Sequence, residues 1–450
     1  MSLYQNQVIT IKCLRIINVL AFLLLLVATT FSFYDDESVS ITQILCVDVI
    51  IVWLYFIDKP KQIFHPNNIV FIFHFLYVVV PSLIFFIFQA YDIQYTLPWA
   101  PPNWLSFHPI LFVQILYVYL ILFLSFSYFT RNMKVTNFPS YQISTVLFCC
   151  VILVMIAFLS LFIIQTGGIL AWVTDYKTTY LTGRKGVGGL SFIIRYLSPL
   201  VAFMLGLYLR QFKQKFIPFL LGVLFLLFLS YFQGFKSTFI IFLVMMISPW
   251  LYKIEITNTK IFVMGLLFFL FLGFANYLRS DGLYNSFQTS IEYLMSYFNV
   301  FYLQDIVLNN YEPQFMQTIG LFLNKYAAIM GGGNPNANFD LSVMLTKVYF
   351  PGQWESWGAT QQWPLVTDLY FNWYGMLFGW IPLIIYAAII SKLYKLFIDC
   401  NLYFWPIYIF LFFRIFSTLR STVIPWDIIV MIVFFFLFYL SMKVIYYVKK

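Results

Sequence analysis

The sequence is poor in charge. Only 10% of its 450 residues are aspartate, glutamate, lysine or arginine, whereas 62% are hydrophobic. This composition excludes a water-soluble enzyme and indicates that lipid is the solvent for most of the chain. Long linkers rich in glycine, serine or proline are missing, and no repeat of fixed period occurs. We therefore predict one integral membrane domain over residues 1–450.

Cysteine and histidine are scarce as well. The five cysteines lie in or beside apolar runs, with neither metal-ligand spacing nor a disulfide framework: Cys13, Cys46, Cys149, Cys150 and Cys400. The three histidines all lie in the first quarter of the chain: His65, His74 and His108. The sequence also has no P-loop, no nucleophile elbow and no DxD pair in a long loop. We therefore expect no metal site, no cofactor and no metal-bound nucleotide sugar.

About twelve apolar runs have roughly the length needed to cross a hydrocarbon layer of ~30 Å. Because backbone polar groups in lipid must bond within their own segment, we predict helices for these runs and an all-α polytopic fold. Their approximate limits are 14–33, 41–57, 68–88, 108–129, 144–165, 191–209, 217–232, 237–251, 261–277, 374–395, 403–419 and 424–446.

The net charge of +9 is not distributed as in a nucleic-acid-binding protein. Most positive residues lie at the termini and in one set of loops, for example Lys59, Arg131 and Lys253, whereas the opposite loops hold acids such as Asp35. Loops rich in lysine and arginine face the cytoplasm. We therefore place both termini there and interpret the first apolar run as a retained helix, not a cleaved signal.

Two long loops then lie outside the membrane, at 166–190 and at 278–373. A connection as long as the second is uncommon unless it has a function of its own. It contains two stretches with helical spacing of apolar residues, 290–308 and 317–330, followed by a glycine-rich break at 331–340. We predict a large helical cap before the last three spans.

Basic residues gather at the predicted outer ends of the helices, against the orientation rule. They are Arg195, Lys236, Arg279, Arg414 and Arg420, joined by Arg184 in the shorter outer loop. Each one alone could be a snorkelling side chain or half of an ion pair. Together they would form a positive pocket in the outer leaflet, where the natural anion is the phosphate or diphosphate of a lipid.

Acidic residues accompany these cations: Asp281, Asp340, Glu355 and Asp368. A carboxylate beside a cationic pocket can act as a general base toward a sugar hydroxyl, or it can pair with an arginine. Residues alone do not decide between these roles. Our candidates for the base are Asp368, Asp281 and Glu355.

Short patterns resemble those of Wzy-type oligosaccharide repeat-unit polymerases. "QGFKSTFIIFLV" (233–244) is similar to the family's turn entering a helix, and "IIRYLSPLVAF" (193–203) to its arginine-containing helix start. "NYLRSD" (276–281) and "STLRSTV" (417–423) hold basic residues where the family has them. Asp368, Tyr370, Asn372 and Gly375 resemble the family's acid–aromatic–Asn–Phe–Gly pattern, with aspartate in place of glutamate. The layout of helices and loops is also similar over nearly the whole chain.

The resemblance implies a polymerase at the outer face of a bacterial inner membrane. The donor would be a growing glycan on undecaprenyl diphosphate, and the acceptor a single repeat unit on a second such lipid. Arg195, Lys236, Arg279, Arg414, Arg420 and Arg184 would bind the diphosphate, while Tyr370 and Asn372 would contact sugar. The resemblance also implies a chain-length regulator as a partner; nucleic acid is not expected.

Other membrane functions remain open at this point. A flippase for lipid-linked oligosaccharides would suit about twelve helices and a basic cavity, although no two-fold repeat is visible. A glycosyltransferase that uses a polyprenyl-monophosphate sugar often has acids in its first outer loop, and Asp35 and Asp36 lie there. An O-antigen ligase fits less well, because that family carries a histidine in its large outer loop and this sequence has none there.

Overall fold

The computed structural model describes residues 2–35, 38–96, 103–138, 143–181, 186–211, 216–234, 236–261, 263, 265, 267, 270, 287–329, 338–358, 360–425 and 427–447. Over these residues the regular structure is helical, and β pairing is limited to two isolated bridges, Gln62 with Glu255 and Phe315 with Trp373.

The helices of the described residues are labelled here in chain order. The first part of the chain forms α1 (Ser2–Asp35), α2 (Ile41–Ile57), α3 (Pro66–His74), α4 (Val80–Ala90), α5 (Ile110–Thr130), α6 (Thr145–Gln165), α7 (Gly168–Thr174), α8 (Tyr176–Leu181), α9 (Gly188–Leu209), α10 (Phe216–Tyr231) and α11 (Lys236–Leu251). The second part forms α12 (Phe287–Phe298), α13 (Phe301–Asn310), α14 (Leu321–Ile329), α15 (Leu341–Tyr349), α16 (Pro351–Trp357), α17 (Leu365–Asn372), α18 (Trp380–Ile398), α19 (Trp405–Leu419) and α20 (Ile428–Tyr447).

Six stretches of the described helices are long and apolar enough to cross a membrane. They are Ile16–Tyr34, Pro66–Ala90, Ile110–Thr130, Thr145–Gln165, Gly188–Leu209 and Trp380–Ile398. Shorter apolar helices lie at five of the other predicted runs, and most of the remaining run, 261–277, lies outside the described residues. The predicted all-helical membrane fold is confirmed, whereas the number of spans stays a prediction.

The basic loops meet at one end of the helix bundle. The backbone N–H of Ile256 donates to the carbonyl of Lys61 at 2.8 Å, and that of Thr136 donates to Ile398 at 2.9 Å. Arg210 Nη1 donates to the carbonyl of Pro249 at 3.0 Å. These loops, which the charge pattern assigns to one side, are thus neighbours in space.

Described helices of the range 287–372 pack against the opposite end of the bundle. Glu292 of α12 is buried, and its carboxylate accepts hydrogen bonds from the backbone N–H and the hydroxyl of Thr96, which follows α4. Asp305 of α13 accepts from the N–H of His108 at 2.7 Å, just before α5. The predicted helical stretch 290–308 is in fact two helices, because the helix ends at Phe298 and a second one begins at Phe301. These contacts fix α12 and α13 against the spans.

A π-helical turn, Phe75–Val79, joins α3 to α4 inside one apolar span. Pro81 follows it and has no N–H to donate to the carbonyl of Tyr77 four residues earlier, so the α-helical ladder cannot continue unchanged. The N–H of Val80 reaches instead to the carbonyl of Phe75. A π turn changes the direction in which the following side chains point and is often found at functional sites.

The span predicted at 374–395 begins later, at Trp380. Tyr374 and Gly375 adopt positive φ angles of 49° and 61°, which end α17 and turn the chain before α18 begins. Residues 365–372 therefore form a separate short helix beside the spans. This places Asp368 and Asn372 at the edge of the bundle, facing the segment that follows α19.

Candidate functional site

A large cavity lies between the spans and the helices of residues 287–372. Its volume is about 2200 Å³, and its described wall comes from α3, the π turn, α9, α11, α12, α19 and neighbouring segments. Most of that wall is apolar, with side chains such as Phe71, Ile241 and Phe412. Three arginines and a single aspartate also line the described wall: Arg195, Arg414, Arg420 and Asp340. The cavity therefore combines a hydrophobic surface with a few basic side chains.

Arg420 follows the end of α19 and is held between two tyrosine rings. Its guanidinium carbon lies 5.2 Å from the ring centre of Tyr77 and 5.2 Å from that of Tyr297. Its Nη1 donates a long hydrogen bond of 3.5 Å to the Tyr297 hydroxyl, and its buried Nε has no hydrogen-bond partner among the described residues. Cation–π contacts of this kind hold a guanidinium in place without neutralising it.

The depth of Arg420 is unusual for a charged residue. Tyr77 lies near the middle of the span Pro66–Ala90, so its partner Arg420 lies well below the end of that helix. The residues after Arg420 leave the helix, and Ser421, Thr422 and Pro425 line the cavity. Irregular backbone at such depth is tolerated where protein covers it or where it borders a cavity.

Arg414 has a partner of its own. Its Nη2 lies 2.7 Å from Asp427 Oδ1, the one ion pair within 4.0 Å found in the described part of the chain. The second oxygen of Asp427 accepts a hydrogen bond of 2.9 Å from the hydroxyl of Tyr196. Asp427 is buried, so this arrangement neutralises Arg414 and joins α9, α19 and the start of α20.

Arg195 lies beside this ion pair but is not part of it. The residue is exposed and lines the cavity, and its guanidinium carbon is 5.9 Å from the ring centre of Tyr196. Within the described residues no carboxylate pairs with Arg195 or with Arg420. These two side chains therefore supply the unneutralised positive charge on the described wall.

Asp368 and Asn372 brace the segment that follows Arg420. Asp368 Oδ2 accepts from the backbone N–H of Val423 at 2.9 Å, and its Oδ1 accepts from Asn372 Nδ2 at 2.7 Å. The amide oxygen of Asn372 accepts from the N–H of Thr318 at 2.7 Å. Burial raises the pKa of Asp368 to about 6, opposed by the hydrogen bonds from Val423 and Asn372. The hydrogen bonds of Asp368 and Asn372 explain why polar residues lie at the membrane edge, because they connect α17 to the cavity wall.

The other predicted carboxylates lie in different surroundings. Asp340 caps α15, where its Oδ1 accepts from the N–H of Val343 at 2.7 Å, and it also lines the cavity. Glu355 is exposed in α16 and does not line the cavity. Asp281 lies outside the described residues. Of the four acids named from the sequence, the cavity wall thus includes Asp340.

The two predicted sugar contacts lie away from the cavity wall. Tyr370 is buried, and its hydroxyl donates to the carbonyl of Tyr311 at 2.9 Å, while its neighbours are apolar residues of α13 and α15. Asn372 is buried in the network described above. Their role toward sugars stays a prediction.

Some predicted basic residues cannot be placed. Arg184 and Arg279 lie outside the described residues, and so does the side chain of Lys236, whose backbone begins α11. The structure therefore brings three of the six predicted cations, Arg195, Arg414 and Arg420, to one cavity.

Sequence reasoning missed three residues of the site: Tyr77, Tyr297 and Asp427. The tyrosines carry no signal, since each lies in a stretch full of aromatic residues. Asp427 does carry a sequence signal, because an acid at the start of an apolar run needs a partner.

In the described part of the chain, no three histidine, cysteine, aspartate or glutamate side chains come together as a metal site would require. No protein-family model, curated protein or solved structure matches the chain.

Proposed function

We propose that the protein is a Wzy-type polymerase, a membrane glycosyltransferase that joins undecaprenyl-diphosphate-linked oligosaccharide repeat units. One observation carries the proposal. Arg195 and Arg420, which have no carboxylate partner among the described residues, line a cavity of about 2200 Å³ whose wall is otherwise largely apolar. A ligand that matches this wall has an anionic head and a long hydrophobic tail. A lipid diphosphate has both.

The chemistry needs few protein groups. A hydroxyl at the non-reducing end of the acceptor attacks C1 of the donor sugar, and the bond from C1 to the diphosphate oxygen breaks. Undecaprenyl diphosphate leaves with the electron pair of that bond, and the hydroxyl proton passes to a base. Guanidinium groups already in place stabilise the charge that develops on the leaving oxygen.

Asp340 is the best-placed base among the described acids, since it lines the cavity. Both oxygens of Asp368 accept hydrogen bonds from protein groups, which favours a bracing role for that residue. Asp281 and Arg279 enter the proposal from the sequence resemblance alone.

The same proposal includes the arrangement in the membrane. About twelve spans cross the bacterial inner membrane, both termini and the basic loops face the cytoplasm, and residues 278–373 form the outer cap. A chain-length regulator is the expected protein partner. The meeting of the basic loops at one bundle end supports this orientation.

Replacing Arg420 by alanine tests the function in cells. We expect membrane insertion to be intact and long glycan chains to collapse to single repeat units, because the diphosphate loses its main cation. Arg131→Ala is the matched control, since Arg131 lies in a basic loop and rests on the ring of Tyr128. Glycan ladders of normal length from Arg420→Ala would contradict the proposal.

A second experiment uses the purified protein. With two lipid-linked repeat units and no nucleotide sugar, we expect longer glycans and one released undecaprenyl diphosphate for each bond formed. If neither product forms, the polymerase proposal is wrong.

A flippase remains the second candidate, and one observation favours it. The cavity wall extends from Gln361, in the segment before α17, to Asn258, beside the basic loops. A path of that extent would suit transport across the bilayer. Loss of a flippase would remove single repeat units from the cell surface, whereas loss of a polymerase would leave them there.

A further inference from the structure

The hydroxyl of Tyr77 is a buried polar group that lacks a hydrogen-bond partner among the described residues. Tyr77 is fully buried, lines the large cavity, and makes no hydrogen bond through its hydroxyl to any described residue. Buried hydroxyls are almost always bonded, since an unmade hydrogen bond costs free energy. An unbonded one on a cavity wall is positioned to bond a ligand that enters the cavity.

The position of this hydroxyl is fixed by aromatic contacts. The ring of Tyr77 stacks on Phe73 at 4.5 Å and meets the edges of Phe298 at 4.9 Å and Phe416 at 5.7 Å. These neighbours come from α3, α12 and α19. The ring therefore cannot turn to find another partner without disturbing three helices.

Arg420 cannot accept the hydrogen of this hydroxyl, although its guanidinium lies over the same ring. A guanidinium carries only hydrogen-bond donors. Even if one of its N–H groups pointed at the tyrosine oxygen, the O–H hydrogen would still lack an acceptor. The acceptor must come from outside the described residues, and a position beside a cation favours an anionic oxygen.

We propose that the Tyr77 hydroxyl donates a hydrogen bond to a diphosphate oxygen of the ligand that Arg420 binds, which makes Tyr77 a binding residue of the site. This inference rests on the proposed function, because it takes the lipid diphosphate as the ligand. It also gives the π turn a role in the site, since the turn contains Tyr77 and determines where its ring points. It also explains why Arg420 is held by ring faces, which leave its Nε–H available for the ligand.

The test measures binding apart from polymerisation. Geranylgeranyl diphosphate is titrated into the purified full-length protein in detergent, with geranylgeraniol as the probe that lacks the anion. Tyr77→Phe should weaken binding of the diphosphate about tenfold, which corresponds to one lost hydrogen bond to a charged group. Binding of the alcohol should not change. The thermal stability of the unliganded variant should stay close to that of the wild type, since the hydroxyl donates no hydrogen bond to a described residue.

Tyr119→Phe is the matched control. Tyr119 is buried outside the cavity wall, and its hydroxyl donates to the carbonyl of Ile51 at 2.8 Å. This variant should lose stability and bind the diphosphate like the wild type.

The outcomes separate the two claims. Wild-type affinity in Tyr77→Phe, or a loss of stability as large as in Tyr119→Phe, would overturn the role of Tyr77 and leave the proposed function standing. If the wild type does not prefer the diphosphate to the alcohol, both claims fall.

Discussion

Two arginines near the end of α19 have opposite surroundings. The Arg414 region consists of Arg414, Asp427 and Tyr196, in which a buried carboxylate neutralises the guanidinium. The Arg420 region consists of Arg420, Tyr77 and Tyr297, in which two aromatic rings hold the guanidinium and no described carboxylate approaches it. Both arginines line the same cavity. Their position alone therefore does not reveal what each charge does.

The comparison separates a structural charge from an available one. In the Arg414 region, each polar group satisfies another, and the group links three helices. In the Arg420 region, the guanidinium Nε and the Tyr77 hydroxyl lack hydrogen-bond partners among the described residues, so these two groups add no hydrogen bond to the described fold. We infer that the first region holds the bundle together and the second binds the ligand.

The largest expected effect comes from breaking the ion pair of the Arg414 region. Arg414→Ala leaves the carboxylate of Asp427 buried with Tyr196 as its one remaining side-chain partner among the described residues, and removal of one member of a buried pair costs roughly 3–5 kcal/mol. Replacing both members, as in Arg414→Met with Asp427→Leu, should recover most of that loss, because no buried charge remains. Thermal or denaturant unfolding in detergent measures both variants.

Arg420→Ala provides the contrast in stability. It removes two cation–π contacts, so we expect a loss of only about 1–2 kcal/mol together with the loss of polymer. Equal destabilisation by Arg414→Ala and Arg420→Ala would show that the two regions do not differ in the way described.

A pH effect of intermediate size concerns Asp368, which braces the chain after Arg420. Burial raises the pKa of its carboxyl from 3.8 in the ordinary case to about 6, so the folded state binds the proton more tightly than the unfolded state. The stability that this proton contributes is complete below about pH 4 and is lost as the pH rises through about 6, a change of about 3 kcal/mol. Unfolding measured between these pH values should show this slope in the wild type.

Asp368→Asn cannot titrate, so its stability should change less over the same pH range. Its amide also places an N–H group against the donors of Val423 and Asn372, which should lower stability at acid pH. Glu355→Gln is the control, because Glu355 is exposed and its removal should leave the slope unchanged. The same slope in wild type and Asp368→Asn would assign the titration to another group.

Much of the fold follows from the sequence alone. Long apolar runs, few charges and basic loops predict a helical membrane bundle, because lipid leaves the backbone little choice. The grouping of the basic loops also follows, since charge placement depends on the membrane and not on side-chain detail. Boundaries were less certain, as at 374–379, where the positive φ angles of Tyr374 and Gly375 delay the span.

The site follows from the sequence only in part. Arg195, Arg414 and Arg420 could be selected, because a charge in an apolar run is expensive and therefore conspicuous. Whether a charge is neutralised depends on residues distant in sequence, such as Tyr196 with Asp427, and no local pattern encodes that contact. The tyrosines of the Arg420 region are hidden for another reason, since 22% of the chain is aromatic.

The smallest expected effect compares two hydroxyls, one from each region. Tyr196→Phe removes a hydrogen bond of 2.9 Å to the buried carboxylate of Asp427, and we expect a loss of about 1–2 kcal/mol in unfolding free energy. Tyr297→Phe removes only a contact of 3.5 Å from Arg420 and keeps the ring, so its stability should stay within about 0.5 kcal/mol of the wild type. Both variants keep the same ring at their sites, so the difference isolates the hydroxyl. If Tyr297→Phe proved the more destabilising of the two, the Arg420 region would be a structural support like the Arg414 region. That result would contradict the proposal that Arg420 binds a ligand.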